Sequence, residues 1–424
     1  MTTSTQEPFY DQREIRSPDE REAAQLADLQ RLIAHARTNP IHAEKIGGTT
    51  ISSLDDLARL PLLRKSDLIG MQEKMPPFAG FNIAQTGRMR HIYRSPGPIN
   101  DYDGNDRNHG YARGEPDWWR VGRALYAAGF RPGDVVHNSF SYHFTPAGMM
   151  FDRGATHIGC AVFPAGTENT ELQARAMEVF RTTAYTGVPD FLPRLLEKAD
   201  ALGLDLRSLT RASVSAGPLF PSVRRGLEER GIAVHECYVI ADLGLVAYQT
   251  PALEAMVIDE DVIVEIVRPG TGDPVPDGEV GEVVVTALAH HELPLIRLAI
   301  GDLSAILPGP SPCGRTGRRL RGWLGRADQT TKVRGMFVRP EQVARVLEQC
   351  GVRARARLLI GRENDRDTMT LHVEQDGNRE GLVERLEAAM KSVFNLRGNA
   401  RIEPVGTLAN DGKVITDTRV AGEG

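Results

Sequence analysis

The sequence predicts an α/β protein with two domains. Residues 1–325 form a large multi-layered domain containing parallel and antiparallel sheets, and residues 326–424 form a small α+β domain. Three observations carry the prediction. From about residue 121 to 230, short apolar runs alternate with helical patterns of about 10–15 residues, which implies crossover connections and a largely parallel sheet. After Gly244 the runs become hairpin-like, with Gly270, Gly272, Asp273, Asp277 and Gly278 at the turns. A chain of 424 residues is also too long for one core.

Taken in order, Leu26, Leu29, Leu32, Ile33 and Ala36 fall three or four apart, as one face of a helix over 22–37 requires. Ser52-Ser53 ahead of Asp55-Asp56 reads as a capped short helix. A helix over 121–130 leads through Arg131-Pro-Gly-Asp into a strand over 135–140. Strands at 156–163, 182–187 and 212–215 then alternate with helices at 170–180, 190–202 and 222–230. Residues 262–267 and 282–288 alternate with period two, as antiparallel strands do. Beyond Gly325 come a helix at 340–349, a strand at 368–374 and a helix with Leu382, Val383, Leu386, Met390 and Val393 on one face. The boundary falls at 325–328.

Hydrophobic content of 41% and charged content of 25% are those of an ordinary globular protein. The net charge of −5 gives no global positive field for nucleic acid or an anionic membrane. No apolar run is long enough to span a membrane, and the polar N-terminus is not a signal peptide. Four cysteines lie far apart without CxxC spacing, which fits a reducing cytoplasm and buried thiols.

Several motifs are ambiguous. Arg315, Arg318, Arg319 and Arg321 could clamp phosphate, although a solvated basic loop is the favoured reading. Adjacent His290 and His291 would point to opposite strand faces, which disfavours chelation. No Walker A, GxGxxG, HExxH or GxSxG pattern is present.

Residues 279–340 read EVGEVVVTALAHHELPLIRLAIGDLSAILPGPSPCGRTGRRLRGWLGRADQTTKVRGMFVRP. This block resembles the adenylate-forming (AMP-binding, acyl-CoA synthetase-like) enzymes, and within them the phenylacetate–coenzyme A ligase family. That family has LPLIRY-x-x-GDL, CGRT-x-RR, GR-x-DD and RG-x-x-V-x-P in the same order. LQRLIAHART, SLDDLARLPLLRKSDL, AAGFRPGDVV, FPAGTENTELQ and the SAGP turn at 215–218 also agree in order.

The resemblance implies the adenylate-forming fold with a mobile C-terminal domain and a two-step reaction. A small carboxylate attacks ATP to give an acyl-adenylate, and coenzyme A then displaces AMP. By position, Asp302 should take the ribose hydroxyls with Arg326 beside it, and Tyr238 should stack on adenine. Ser95, Gly97, Ala216, Gly217 and Pro218 complete the nucleotide set. Asp328 is the hinge, Gly335 belongs to the coenzyme A side and Lys413 stabilises charge during adenylation. Asp242 is the expected catalytic and Mg²⁺-binding carboxylate. The segment 137–148 should line the acid pocket, with Tyr142, His143, Phe144 and Gly148 suited to a planar ring or, equally, to core packing. A homodimer is compatible with this reading.

Two motifs depart from the family. Its Tyr-Gly-Leu-Ser/Thr-Glu is here Tyr238-Val239-Ile240-Ala241-Asp242, with a carboxylate withdrawn by about 1.5 Å. Its Ser-Ser-Gly-Thr-Thr-Gly-Lys-Pro-Thr phosphate loop is here Arg94-Ser95-Pro96-Gly97-Pro98-Ile99-Asn100. The prolines remove amide donors, and the acidic and amide side chains from Asp101 onward would repel or merely solvate a polyphosphate. These departures leave an alternative open: a homologue that binds a nucleotide or acyl group without adenylation, or that catalyses another condensation on the same fold.

Overall fold

The computed structural model describes residues 8–95, 99–104, 117–327, 329–363, 366–376, 381–408 and 413–419. Two compact units emerge: Met1–Ile300 with Ser304–Gly322, and Gly301–Leu303 with Trp323–Gly424. The division by contacts falls at 322/323, and the short segment 301–303 packs with the second unit.

The large unit is built on a nine-stranded sheet. Its parallel half runs, in spatial order, Ala161–Pro164, Val135–Asn138, Ala184–Gly187, Arg211–Val214 and Ala233–Ile240. The sheet continues antiparallel through Gly244–Gln249, Met256–Ile258, Arg319–Leu320 and Ile306–Leu307. Helices Ala147–Ile158, Thr170–Val179, Phe191–Leu202 and Pro221–Glu229 connect the parallel strands. Helices Val121–Ala127 and Ala147–Ile158 pack closely, because a Cβ on Gly154 would stand 2.8 Å from the Gly122 nitrogen. Trp119, Phe130, Phe151 and Val136 fill the core nearby.

The sequence expectation of a strand over 156–163 is corrected here. The helix runs on through Ile158, burying Ala155, His157 and Ile158, and only Ala161–Pro164 is strand. A second sheet has the order Leu63–Arg64, Leu298–Ser304, Gly281–Ala287, Val262–Val267. Its central strand Gly281–Ala287 is buried on both faces, so the period-two pattern there does not mark a solvent face.

The N-terminal helix Pro18–Ala36 opens with a capping box: the Glu20 amide donates to Ser17 Oγ, and the Ser17 amide donates to Glu20. Leu29, Leu32, Ile33 and Ala36 are its buried face. The second unit has a four-stranded sheet in the order Asn399–Glu403, Arg366–Glu374, Ala356–Glu363, Ile415–Asp417. Helices Pro340–Gln349 and Leu382–Phe394 pack together and contribute Val343, Val346, Leu386, Met390 and Phe394 to its core. Among the described residues no helix is long and apolar enough to cross a membrane.

Candidate active site

The five parallel strands stand in the order 2-1-3-4-5 when numbered along the chain. Connections from strands Val135–Asn138 and Ala184–Gly187 therefore leave in opposite directions, which makes their carboxyl ends the edge at which α/β sheets bind ligands. The loops at that edge are 139–146, 188–190, 215–220 and 241–243. They carry most of the large-unit residues that the sequence singles out.

The first loop is braced from within. Asn138 Nδ2 donates to the Tyr142 hydroxyl at 2.7 Å and to the Gly148 carbonyl at 2.9 Å. The Tyr142 hydroxyl in turn donates to Asp152 Oδ2 at 2.9 Å. Burial and the Asp152 charge push the Tyr142 pKa up, so the phenol remains a donor. A Cβ on Gly148 would stand 2.7 Å from the Ser141 carbonyl and 2.8 Å from the Tyr142 ring, so the loop closes only on glycine. Tyr142 and Gly148 are thus packed into the frame, whereas His143 and Phe144 are exposed on its rim. Phe144 is 80% exposed at a φ of 62°, and its carbonyl accepts the Arg94 amide at 2.8 Å.

That bond joins the loop to the hairpin His91–Arg94/Asn100–Asp103. Ser95 lies at its tip. Its amide donates to the Ile99 carbonyl at 2.8 Å, and its hydroxyl accepts the Ile99 amide at 3.3 Å. The Ser95 amide is therefore engaged inside the turn, whereas the hydroxyl only accepts there and its proton is not used by that bond. Gly97 lies outside the described residues.

Ser215 donates to the Cys237 carbonyl at 2.7 Å and anchors the Ala216-Gly217-Pro218 turn beside the strand that carries Tyr238. Ala216 holds a left-handed φ of 65°, which costs a non-glycine residue of order 1 kcal/mol and is found most often at functional turns. Tyr238 is half-buried, at a register shift between the strands Ala233–Ile240 and Gly244–Gln249.

Asp242 follows in the turn. Its side chain is 1% exposed and forms an ion pair with Lys65, the first residue of helix Lys65–Lys74. It is also hydrogen-bonded to Asp101. Burial raises the Asp101 pKa, and the Asp242 charge raises it further. Burial works against the Asp242 carboxylate too, yet the Lys65 ammonium and the Asp101 hydrogen bond hold its pKa below the usual range. Asp101 is therefore the protonated partner. Asp103 is also buried and meets Arg153 Nη1 at 2.5 Å and His91 Nδ1 at 3.0 Å. The expectation that Asp101 and Asp103 repel a polyphosphate is corrected, because both carboxyls point inward, Asp101 to Asp242 and Asp103 to Arg153 and His91. The polar residues at 105–108 lie outside the described residues.

The donors around Asp242 do not fit the magnesium role that the sequence assigned to it. Magnesium demands near-ideal octahedral oxygen ligation with several retained waters. Here one carboxylate oxygen meets an ammonium and the other an acid, and the described residues include no group of three or more His, Cys, Asp or Glu placed to hold a metal ion.

In the second unit, Asp302 and Arg326 form an isolated antiparallel bridge. Arg326 Nη1 donates to Asp302 Oδ1 at 3.0 Å, and Trp323 Nε1 donates to the same oxygen at 3.1 Å. Gly335, at a φ of 85°, turns the hairpin Thr331–Val333/Met336–Val338. Lys413 is exposed, and its carbonyl accepts from Arg357 Nε. Asp328 lies outside the described residues.

Comparison with known proteins completes the picture. The family model for "AMP-binding enzyme" matches residues 118–288. The phenylacetate-coenzyme A ligase of Aromatoleum evansii is 30% identical over 374 residues, covering 84% of this chain and 82% of that protein. The chain belongs to the phenylacetate–coenzyme A ligase family. The family's enzyme from Pseudomonas putida is 28% identical over 440 residues, covering 97% of this chain and 98% of its own. Among solved structures, a 2-hydroxyisobutyryl-CoA ligase in complex with 2-HIB-AMP and CoA superposes with a TM-score of 0.80 at 24% identity, covering 98% of this chain and 93% of that one. That likeness establishes the shared fold.

Within this ligase fold the remaining candidates find structural partners. Arg315 is buried against Glu14 at 3.0 Å, Arg319 is buried and meets Glu254 at 3.0 Å, and Arg318 meets Asp277 at 2.5 Å. The solvated-loop reading of this run is corrected for Arg315 and Arg319. They anchor elements of the large unit, and Arg315 holds the N-terminal strap 9–21. Along that strap Arg13 pairs with Asp261, Arg16 and Arg21 pair with Glu260, and Asp11 pairs with Arg123. His290 stacks on Trp118 at 3.9 Å and faces Arg120. Burial and the Arg120 charge push its pKa far down, which makes it a neutral acceptor. His291 packs edge-on against His35.

The sequence does not single out Lys65, Asp152 or Trp323; Asn138 falls in the expected pocket segment, and Asp101 is expected to face a polyphosphate rather than Asp242. Lys65 stood inside the supporting segment LPLLRKSDL, and Trp323 inside the block 279–340. Nothing local in the sequence tied either to its carboxylate.

Proposed function

We propose that this protein activates a small aromatic carboxylic acid as an acyl-adenylate formed from ATP, and then transfers the acyl group to coenzyme A. The observation that carries this reading is the gathering of the braced loop 138–148, the strained Ala216 turn and Tyr238 at the carboxyl ends of the parallel strands, in a chain of the phenylacetate–coenzyme A ligase family. In this reading the Tyr238 ring covers adenine. Asp302, with its plane set by Arg326 and Trp323, accepts the ribose hydroxyls; charge-assisted bonds of this kind are the strong ones. His143 and Phe144 supply the rim that a planar acid would meet, and Gly148 and Tyr142 hold that rim in place. Arg94, exposed at the end of its strand, is the cation nearest the altered loop in sequence and meets the phosphates in place of the missing lysine. Lys413 supplies positive charge where it develops on the acid and the α-phosphate, and Gly335 lies on the coenzyme A side.

Carboxylate-dependent ATP–pyrophosphate exchange, screened across aryl and short-chain acids, tests the first step. Exchange with an aryl acid that is abolished in Lys413→Ala is the expected result. AMP release that then depends on coenzyme A tests the second step. No exchange with any acid, together with no ATP binding by calorimetry, would sink the reading. Exchange that proceeds without coenzyme A-dependent AMP release would redirect it to another acyl acceptor.

A further inference from the structure

Lys65, Asp242 and Asp101 come from three separate elements, a helix start, a strand-to-strand turn and the hairpin strand Asn100–Asp103. They meet beside a cavity of about 10 Å³ lined in part by Gln72, Asn100, Asp101 and Asp242, room for about one water. The Lys65 ammonium takes Asp242 Oδ2. Among the described residues no N–H or hydroxyl group reaches Asp242 Oδ1 or Asp101 Oδ2, and both atoms are buried. The hydrogen bond between the two acids therefore requires one shared proton. With an ammonium on one side and an acid proton on the other, Asp242 has its valence satisfied without a metal.

We propose that Lys65 is a resident counter-ion that stands in the place of a divalent metal at Asp242, with Asp101 sealing the set. Lys65 acts through Asp242 and is thus a positioning residue. The inference rests on the functional reading above only for the significance of this edge; its test needs no turnover.

Mn²⁺ is the probe, titrated into the full-length protein and followed by electron paramagnetic resonance. The wild type and Asp242→Asn are expected to bind Mn²⁺ alike. Lys65→Met should gain a site that the double variant Lys65→Met/Asp242→Asn lacks, whereas Lys65→Arg, which keeps the cation, should gain none. A purely structural ion pair would lose stability in Lys65→Met without gaining a metal. Should Lys65→Met not fold, Lys65→Gln takes its place, and the wild-type against Asp242→Asn comparison stands regardless. Mn²⁺ affinity that falls tenfold or more in a folded Asp242→Asn protein would overturn the proposal. So would a folded Lys65→Met or Lys65→Gln protein with no new site. Neither result depends on ATP–pyrophosphate exchange, so failure here is distinguishable from failure of the ligase reading.

Discussion

Asp242 and Asp302 are each a carboxylate beside a cation, and sequence resemblance assigns the first to catalysis and Mg²⁺ and the second to the ribose. In the large unit, Asp242 is 1% exposed, faces a lysine, and is hydrogen-bonded to a second acid. In the small unit, Asp302 is 11% exposed, and both its guanidinium and indole donors reach a single oxygen. An ammonium is a point charge that neutralises, whereas a planar guanidinium fixes orientation as well as charge. A carboxylate next to a cation is therefore not by itself a ligand-binding group. The second partner decides: an acid closes the set, and a neutral N–H donor orients it.

The most disruptive way to probe this contrast is Lys65→Met. It strands a buried carboxylate pair and should cost about 3–5 kcal/mol of unfolding free energy, read by chemical denaturation. Asp302→Asn should do the reverse. Stability changes little, while adenylation measured by pyrophosphate exchange falls about 100-fold, because hydrogen bonds to a charged acceptor are worth about 1.5–3 kcal/mol. If Asp302→Asn unfolds the protein and leaves turnover of the surviving fraction intact, the contrast fails.

Asp101→Asn sharpens it further. Asparagine can donate as the protonated acid does, so the cost near neutral pH should stay within about 1 kcal/mol. The raised Asp101 pKa contributes stability that is fully present below the unfolded value of 3.8 and is lost as pH rises through the folded value. Asp101→Asn should remove that decline, and stability curves at a series of pH values above 4 would show it. The smallest effect is expected at Phe144→Ala. An 80% exposed side chain contributes within about 0.5 kcal/mol to stability, so only the KM for the acid should move, without a matching change in the KM for ATP.

What could be read from the sequence follows from how far apart the interacting residues lie. Helices such as Pro340–Gln349 and Leu382–Phe394 announce themselves through spacing, and Asp302 and Arg326 fall within one contiguous block. Lys65 and Asp242 are 177 residues apart, and no local pattern joins them. The stretch Asn100–Asp103 looks like a solvated polar strand, yet Asp101, Tyr102 and Asp103 are all buried. Partners on other elements overrode the polarity of the segment. The end of helix Ala147–Ile158 lies outside the expected pattern for a related reason: Ile158, Cys160, Ala161, Val162 and Phe163 make a β-prone apolar run that continues past the helix end.

The strap formed by residues 9–21 sets a timetable for making this protein. Glu14 is buried and needs Arg123, Tyr248 and Arg315 around its carboxylate. Its carbonyl accepts from Thr316, 302 residues further along the chain. At about 5–20 residues per second, Glu14 waits roughly 15–60 s for its last-made partners to be synthesised. Until then the Glu14 carboxylate has Arg123 and Tyr248 at one oxygen, and its second oxygen lacks the Arg315 guanidinium. Arg315 and Thr316 are thus the late-arriving fastener of the chain, and a nascent polypeptide released before them lacks the last of the contacts that seat its beginning.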